Sequence, residues 1–292
     1  MKQILQIGKV GQLGWELLRT CAPLGEVVAL DYPDVDLSDS KSLRELVRSI
    51  KPDIIINAAA YTNVDRAESE PEKARAINTT GPGVLAEEAK RINAVLVHYS
   101  TDYVFDGTKG SPYVETDQPN PLNVYGLTKL EGEQAIAASG CVNLVLRTSW
   151  VYSMRLGGFV TKVLQWARTQ EVVRVVDDQI SGPTSARLLA EVSALLLAKL
   201  DEKGYSWADE HRGVYHVAGD GACSRYEWAE KIIEIDPRKE EQLVKRLERA
   251  SSAEFPVPAN RPMISVLNND KLENILNLRL PFWEEGLRFT IL

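Results

Sequence analysis

Tyr125 and Lys129 stand four residues apart in Tyr125-Gly-Leu-Thr-Lys129, a spacing that puts both side chains on one face of a helix. A free phenol ionises near about 10 and exchanges protons poorly at neutral pH. A cation within roughly 4–6 Å lowers an acidic group by about 1–3 units. Lys129 is therefore expected to draw Tyr125 toward the range where it can donate or accept a proton. Upstream, Ser100-Thr101-Asp102 follows an apolar run at 94–99 and offers hydroxyls where a strand would end. Adjacent strand residues face opposite ways, so one of Ser100 and Thr101 is expected in the site, and periodicity leaves open which. The Tyr/Lys spacing alone also fits a solvated helix face. Its company argues for chemistry.

That company includes a glycine loop. Residues 3–7 read as a short buried strand, followed by Gly8-Lys-Val-Gly11-Gln-Leu-Gly14 and the helical run Trp15-Glu-Leu-Leu-Arg19. Strand, G-x-x-G-x-x-G, helix is an arrangement for a dinucleotide. Glycines permit a tight turn and close approach of a pyrophosphate, and the helix N-terminus supplies N–H groups and partial positive charge. A second strand at 26–30 ends in Asp31, placed for a ribose hydroxyl pair. Ile54-Ile-Ile56 is apolar throughout, as in a strand covered on both faces. It opens into Asn57-Ala-Ala-Ala60-Tyr61-Thr62, small residues against which a cofactor could lie, although tight helix–strand packing would also select alanine.

The elements that must position these residues alternate. A helix is expected over 41–50 with Ser38 as N-cap, and another over 74–92, interrupted near Gly81-Pro82-Gly83. Residues 107–121 read as a surface loop, either lid or passive connector. Asn120-Pro121 fits N-cap and first turn of the helix that carries Tyr125 and Lys129, with Gly140 ending it. A fifth strand follows at 142–147. This alternation predicts an α/β fold, a Rossmann-type doubly wound parallel sheet with a smaller mixed substrate-binding lobe. Further on, the patterns predict a helix over 159–169, a strand over 172–176, a loop over 177–184, a helix over 188–200 and a strand over 213–218. A capping box at Ser224-Arg-Tyr-Glu227 and a charged helix over 240–249 complete the reading. The expected division is 1–149 plus about 185–219 for the dinucleotide, and about 150–184 plus 220–292 for the lobe.

The 292 residues carry a net charge of −7 with no basic run, which disfavours nucleic acid and anionic membrane as partners. No apolar stretch approaches the ~20 residues of a spanning helix. The N-terminal residues read as a strand rather than a signal peptide. Cys21, Cys141 and Cys223 are odd in number and far apart, and the three histidines lack metal-ligand spacing. Together these predict a cytoplasmic protein without disulfides or a bound metal.

The glycine loop, Ser100/Thr101, Tyr125 and Lys129 together resemble the extended short-chain dehydrogenases/reductases. Within that superfamily, Asn57-Ala-Ala-Ala60, His98-Tyr-Ser-Thr-Asp-Tyr-Val-Phe105, Pro121-Leu-Asn-Val-Tyr-Gly126 and Arg147-Thr-Ser-Trp-Val-Tyr152 are similar to the dTDP-4-dehydrorhamnose reductases. The resemblance covers nearly the whole chain and is dense to about Thr184. It implies hydride transfer from a reduced nicotinamide to the C4 ketone of dTDP-4-dehydro-L-rhamnose. By position it implies Tyr125 as proton donor, Lys129 on the nicotinamide ribose, and Thr101 as the hydroxyl that polarises the carbonyl or tunes Tyr125. It places Asp102 and Trp150 on the sugar nucleotide. Gly8, Gly11, Gln12, Leu13, Gly14, Asp31, Asp36, Leu37, Ala60, Tyr61, Thr62 and Tyr99 fall on the dinucleotide.

Two positions depart from the family pattern. The tail reads Arg261-Pro-Met-Ile-Ser265 where the family often has Arg-Pro-Ala-Asn-Ser, so Arg261 could still meet a phosphate but an Asn contact is lost. Some members dimerise through a magnesium ion held by glutamates. One such position matches Glu16 and the other falls on Arg187, so no metal is expected and Arg187 could pair directly with Glu16. A monomer or weak homodimer is expected. Asp31 predicts NADH preferred over NADPH, which Lys9 nearby could help to be tolerated. The alternatives are a nucleotide-sugar epimerase or dehydratase of the same fold, or a dinucleotide-binding regulatory subunit without turnover.

Overall fold

A computed structural model describes residues 2–292. Six strands form one parallel sheet: β1 (Lys2–Ile7), β2 (Gly25–Leu30), β3 (Ile54–Asn57), β4 (Val95–Thr101), β5 (Val142–Thr148) and, later in the chain, Gly213–His216. The spatial order is β2-β1-β3-β4-β5 and then Gly213–His216. The order reverses between β1 and β3, and ligands of doubly wound sheets bind at such a switch point, outside the strands' carboxyl ends. The register pairs Ile7 with Asn57 and Asn57 with His98. The glycine loop after β1, the alanines after β3 and the hydroxyls ending β4 therefore rise from one edge.

Alternation along the strands builds two cores. Ile4, Ile54 and Val97 face one side, with Leu17 and Leu189 packed on them. Leu5, Ile55 and Leu96 face the other, with Leu85 and Ile136. Full burial of each such side chain is worth about 1.5–3 kcal/mol. The covering helices are α1 (Gln12–Cys21), α2 (Ser40–Ile50), α3 (Gly81–Ile92), α4 (Val124–Ser139) and a long helix at Ala186–Lys203. A third cluster, around Tyr152, Val173, Trp228 and Trp283, forms the core of the smaller lobe.

Several boundaries differ from the sequence reading. The N-cap of α2 is Asp39, whose carboxylate accepts from the N–H groups of Lys41 and Ser42 at 3.1 Å each; Ser38 instead bonds Asp36. The N-cap of α4 is Asn123, which accepts from Gly126 N–H at 2.8 Å, while Asn120 bonds Asp106. The interruption before Gly81 is a π-turn at Ala76–Thr80. It lets Gly81 approach α2's leading loop so closely that an added Cβ would lie 2.6 Å from the Leu37 carbonyl oxygen.

The charged stretch at 240–249 is a short 3-10 turn followed by a strand, Arg246–Ala250, parallel to Val172–Val176. Pairing with a partner strand far away in sequence overrode local helix propensity. The 107–121 loop is pinned rather than free. Tyr113 is buried, stacks on Phe105 with centroids 4.1 Å apart, and exchanges backbone bonds with the chain at Val266 and Asn268.

Candidate active site

A cavity of about 530 Å³ opens at the switch point and runs from the glycine loop to Tyr125 and Trp150. At one end α1 begins. Its N-cap is Gly11, with no side chain to satisfy the first-turn N–H groups. Such a helix end favours a negatively charged group. Gly8 has φ of +95°, and a Cβ there would lie 2.8 Å from Ala58 and Ala59 backbone atoms. A Cβ on Gly14 would overlap the Gly8 carbonyl oxygen. Only glycine fits both, and the result is a backbone cradle of the kind a pyrophosphate requires. Asp31 stands on the rim, accepting from the N–H groups of Val10 and Tyr32 at 2.9 Å each. These residues fit a dinucleotide on geometric grounds.

Of the residues singled out from the sequence, Gly8, Gly11, Gln12, Leu13, Asp31, Ala60, Thr62 and Tyr99 line this cavity, together with Thr101, Asp102, Tyr125, Lys129 and Trp150. Gly14, Asp36, Leu37, Tyr61 and Arg261 do not. Gly14 packs under the loop, Asp36 caps Ser38, and Leu37 lies in the core. The Tyr61 hydroxyl donates to Glu70 at 2.9 Å. Arg261 is held by Asp65 through two contacts, at 2.7 and 3.0 Å.

Ser100 and Thr101 both border the cavity, and their hydrogen bonds tell them apart. Ser100 Oγ donates to buried Glu133, which also accepts from Arg147. Thr101 Oγ1 contacts Asp102 Oδ1 at 3.1 Å and accepts from Tyr103 N–H. Asp102 also accepts from Ser265 at 2.5 Å and Ser181 at 3.3 Å, and burial pushes its carboxyl up to about 6 against those hydrogen bonds.

Lys129 is buried. Its Nζ donates to the Tyr99 carbonyl at 2.6 Å and faces His98 Nε2 at 3.0 Å. Burial pushes it down to about 8, with Glu133 acting in the opposite direction. The expected downward pull of Lys129 on Tyr125 does not emerge in this geometry. Burial pushes the phenol up, the Thr101 hydroxyl offsets this in part, and Asp102 and Tyr103 add to the rise.

Several residues near the site went unnoticed in the sequence. Ser153 donates to Gln12 at 2.9 Å, tying the loop to the lobe. Buried Asn78, on the π-turn, accepts from Tyr61 N–H and donates to its carbonyl, fixing the wall after β3. The π-turn is itself a signal that marks functional sites, but it has no sequence signature. Trp150 holds φ of +43°, a strained value for an aromatic residue, and stacks on Trp228. The Arg225 guanidinium lies 3.5 Å from the centre of that indole and 5.5 Å from the Trp228 ring.

A switch-point glycine cradle beside a hydroxyl–tyrosine–lysine set is the signature of the extended short-chain dehydrogenase/reductase class. The profile described as RmlD substrate binding domain matches residues 1–291. A dTDP-4-dehydrorhamnose reductase of Burkholderia thailandensis is 42% identical over 99% of this chain and 98% of its own length. The crystal structure of a dTDP-4-dehydrorhamnose reductase from Clostridium acetobutylicum is 34% identical, with a TM-score of 0.89 over 99% of this chain and 98% of its own. That of a Bacillus anthracis dTDP-4-dehydrorhamnose reductase in complex with NADP is 32% identical, with a TM-score of 0.88 over the same shares. The chain belongs to the family of the dTDP-4-dehydrorhamnose reductases.

Proposed function

We propose that this chain is an NAD(P)H-dependent oxidoreductase that reduces the C4 ketone of dTDP-4-dehydro-L-rhamnose to give dTDP-L-rhamnose. The observation that carries this reading is the convergence of Thr101, Tyr125 and Lys129 on one cavity with the glycine cradle, in a chain matched end to end by relatives of that name. Reduced nicotinamide, when bound, supplies the hydride. Gly8, Gly11, Gln12 and Leu13 would hold its pyrophosphate against the α1 N-terminus, and Asp31 its adenosine ribose. Lys129 would reach the nicotinamide ribose.

The chain's own residues then manage the proton. Hydride arrival leaves negative charge on the sugar oxygen, and Tyr125 Oη holds the proton that neutralises it. Burial makes Tyr125 a weaker acid than a free phenol and keeps that proton in place until the oxygen becomes basic. The Thr101 hydroxyl partly offsets the rise and leaves the phenol a better donor than burial alone would. Asp102 and Trp150 line the sugar side.

NADH is the preferred cofactor in this reading and NADPH a tolerated one, because Asp31 favours two free hydroxyls. We place the protein in the cytoplasm, to which its three free cysteines are suited, as a monomer or weak homodimer. We assign 1–149 plus about 185–219 to a dinucleotide unit and about 150–184 plus 220–292 to a substrate unit, although Leu272 and Leu280 of the latter pack into a sheet core. The deciding experiment is product analysis after incubation with the dTDP-ketosugar and NADH or NADPH. One NADH consumed per rhamnose nucleotide formed supports the reading. An epimerised or dehydrated product without net NADH loss overturns it.

A further inference from the structure

Arg225 opens the helix Arg225–Ile235 and lays its guanidinium 3.5 Å from the Trp150 ring centroid. Phe159 and Trp228 lie 5.1 and 5.5 Å away. Among the described residues no carboxylate forms an ion pair with it; Tyr103, Asp102 and Cys223 attract it and Arg261 repels it. Arg261, the cation that the sequence suggests for a phosphate, is in the opposite state, neutralised by Asp65. Both guanidinium groups lie near enough to the Tyr103 hydroxyl to favour its ionised form. The Tyr103 ring meets Tyr125 edge to face at 6.0 Å, so Arg225 stands one aromatic ring from the proton donor.

Its place in the molecule matters as much as its charge. Trp150, beneath the guanidinium, lines the cavity that contains Tyr125. Arg225 itself lines a second cavity of about 660 Å³, walled by Phe159, Val173, Val175 and Phe255, and bordered also by Arg174 and the Asp65-paired Arg261. A nucleotide sugar has matching parts: a sugar for Tyr125, a base and ribose for an apolar recess, and a diphosphate between them. A partly buried cation without a counter-charge is costly, and an anion that arrives there repays the cost. The planar guanidinium fork matches phosphate oxygens two at a time.

We infer that Arg225, rather than Arg261, is the specificity-determining cation that receives the diphosphate of the nucleotide sugar at the Trp150–Arg225 stack between the two cavities. The inference rests on the substrate class proposed above.

The test is isothermal titration of the full chain, loaded with NADH, with dTDP and separately with thymidine. The wild type is expected to bind dTDP at least tenfold more tightly than thymidine. In Arg225→Met, which keeps the apolar stem on Trp150, dTDP affinity should fall at least tenfold while thymidine and NADH affinities hold. Arg225→Lys, with charge but no fork, should fall between. An unchanged dTDP-to-thymidine ratio in Arg225→Met overturns the inference, as does equal loss of both ligands. So does a ratio lost in Arg261→Met but kept in Arg225→Met. A wild type that binds no dTDP overturns the substrate class itself, and the inference with it.

Discussion

Lys129 Nζ and His98 Nε2 face each other at 3.0 Å in a buried pocket, nitrogen to nitrogen. The other ring nitrogen, Nδ1, lies 3.1 Å from Asn57 Nδ2. Asn57 cannot turn over freely, because its Oδ1 accepts from Ala59 N–H at 3.2 Å. With the amide so placed, Nδ1 accepts and Nε2 carries the imidazole proton. That proton points at Lys129, which can then accept it only as a neutral amine. Charging Lys129 requires His98 or Asn57 to rearrange, while burial by itself already brings the lysine down to about 8 against the pull of Glu133.

A pH profile follows from this pair. The lysine's folded value lies below its ordinary 10.5, so its proton leaves as pH rises through about 8. NADH affinity and kcat/KM should both fall above that point. Fold stability runs the other way: between about 8 and 10.5 the unfolded chain binds the extra proton, so this lysine's penalty, complete below 8, is relieved as pH rises. Asn57→Asp would accept from His98 Nδ1–H and free Nε2 to accept from an ammonium. Its alkaline limb should move above that of the wild type. A limb that stays or moves down would count against the tautomer assignment.

Tyr125→Phe should retain the fold and NADH binding but lose at least ~10²-fold in kcat. Thr101→Val should lose on the order of tenfold in kcat, because it removes the hydroxyl that offsets the phenol's rise. Steady-state kinetics with the ketosugar checks both. Near-normal turnover in Tyr125→Phe would remove the phenol from the mechanism.

Much of this site is legible in the sequence because it is local. The glycine loop, the strand ends and the Tyr125/Lys129 turn each lie within a few residues, and their order along the chain fixes one sheet edge. The choice between Ser100 and Thr101 is not local. It depends on Glu133 and Arg147 taking Ser100 from beneath. Ser181 and Ser265 reach Asp102 from 79 and 163 residues away. The strand at Arg246–Ala250 was hidden for the same reason, since only Val172–Val176 makes it a strand. The downward pull expected on Tyr125 failed because proximity on a helix face does not fix where a flexible lysine points. Burial and a backbone carbonyl won.

Asp31 should set cofactor preference. A 2′-phosphate about 4 Å from its carboxylate would meet a repulsion of about 4 kcal/mol at an effective dielectric near 20 before screening. At an exposed rim this shrinks to roughly a tenfold to hundredfold preference for NADH. Lys9 is drawn toward Asp34, 3.7 Å away, which limits its relief of that repulsion. Asp31→Ala should narrow the gap in kcat/KM between the two cofactors. An equal or better value with NADPH in the wild type would refute the preference.

Chelation should leave activity intact. Arg187 pairs with Glu191 at 3.0 Å on its own helix, not with Glu16 as the sequence suggested, because an i,i+4 partner lies within easy reach. Glu16 acts on it only at longer range. A guanidinium has no lone pair for magnesium. Sedimentation with and without EDTA checks this, and a dimer that dissociates on chelation would show a metal site after all.

Glu133 and Arg147 form the ion pair beneath Ser100, at 2.6 Å, and both are nearly closed to solvent. Glu133→Ala would strand a buried guanidinium and should cost about 3–5 kcal/mol. Glu133→Leu combined with Arg147→Met should recover much of that loss, since removing both charges removes both desolvation penalties. Urea midpoints at constant slope measure these effects. The same carboxylate has a second effect, because its charge holds Lys129 up against burial. Glu133→Gln keeps the shape and removes the charge, so its alkaline limb should move below that of the wild type. A merely structural Glu133 would change stability and leave the limb in place. A limb that does not move in a folded Glu133→Gln would therefore sever the link from this pair to the proton chemistry above it.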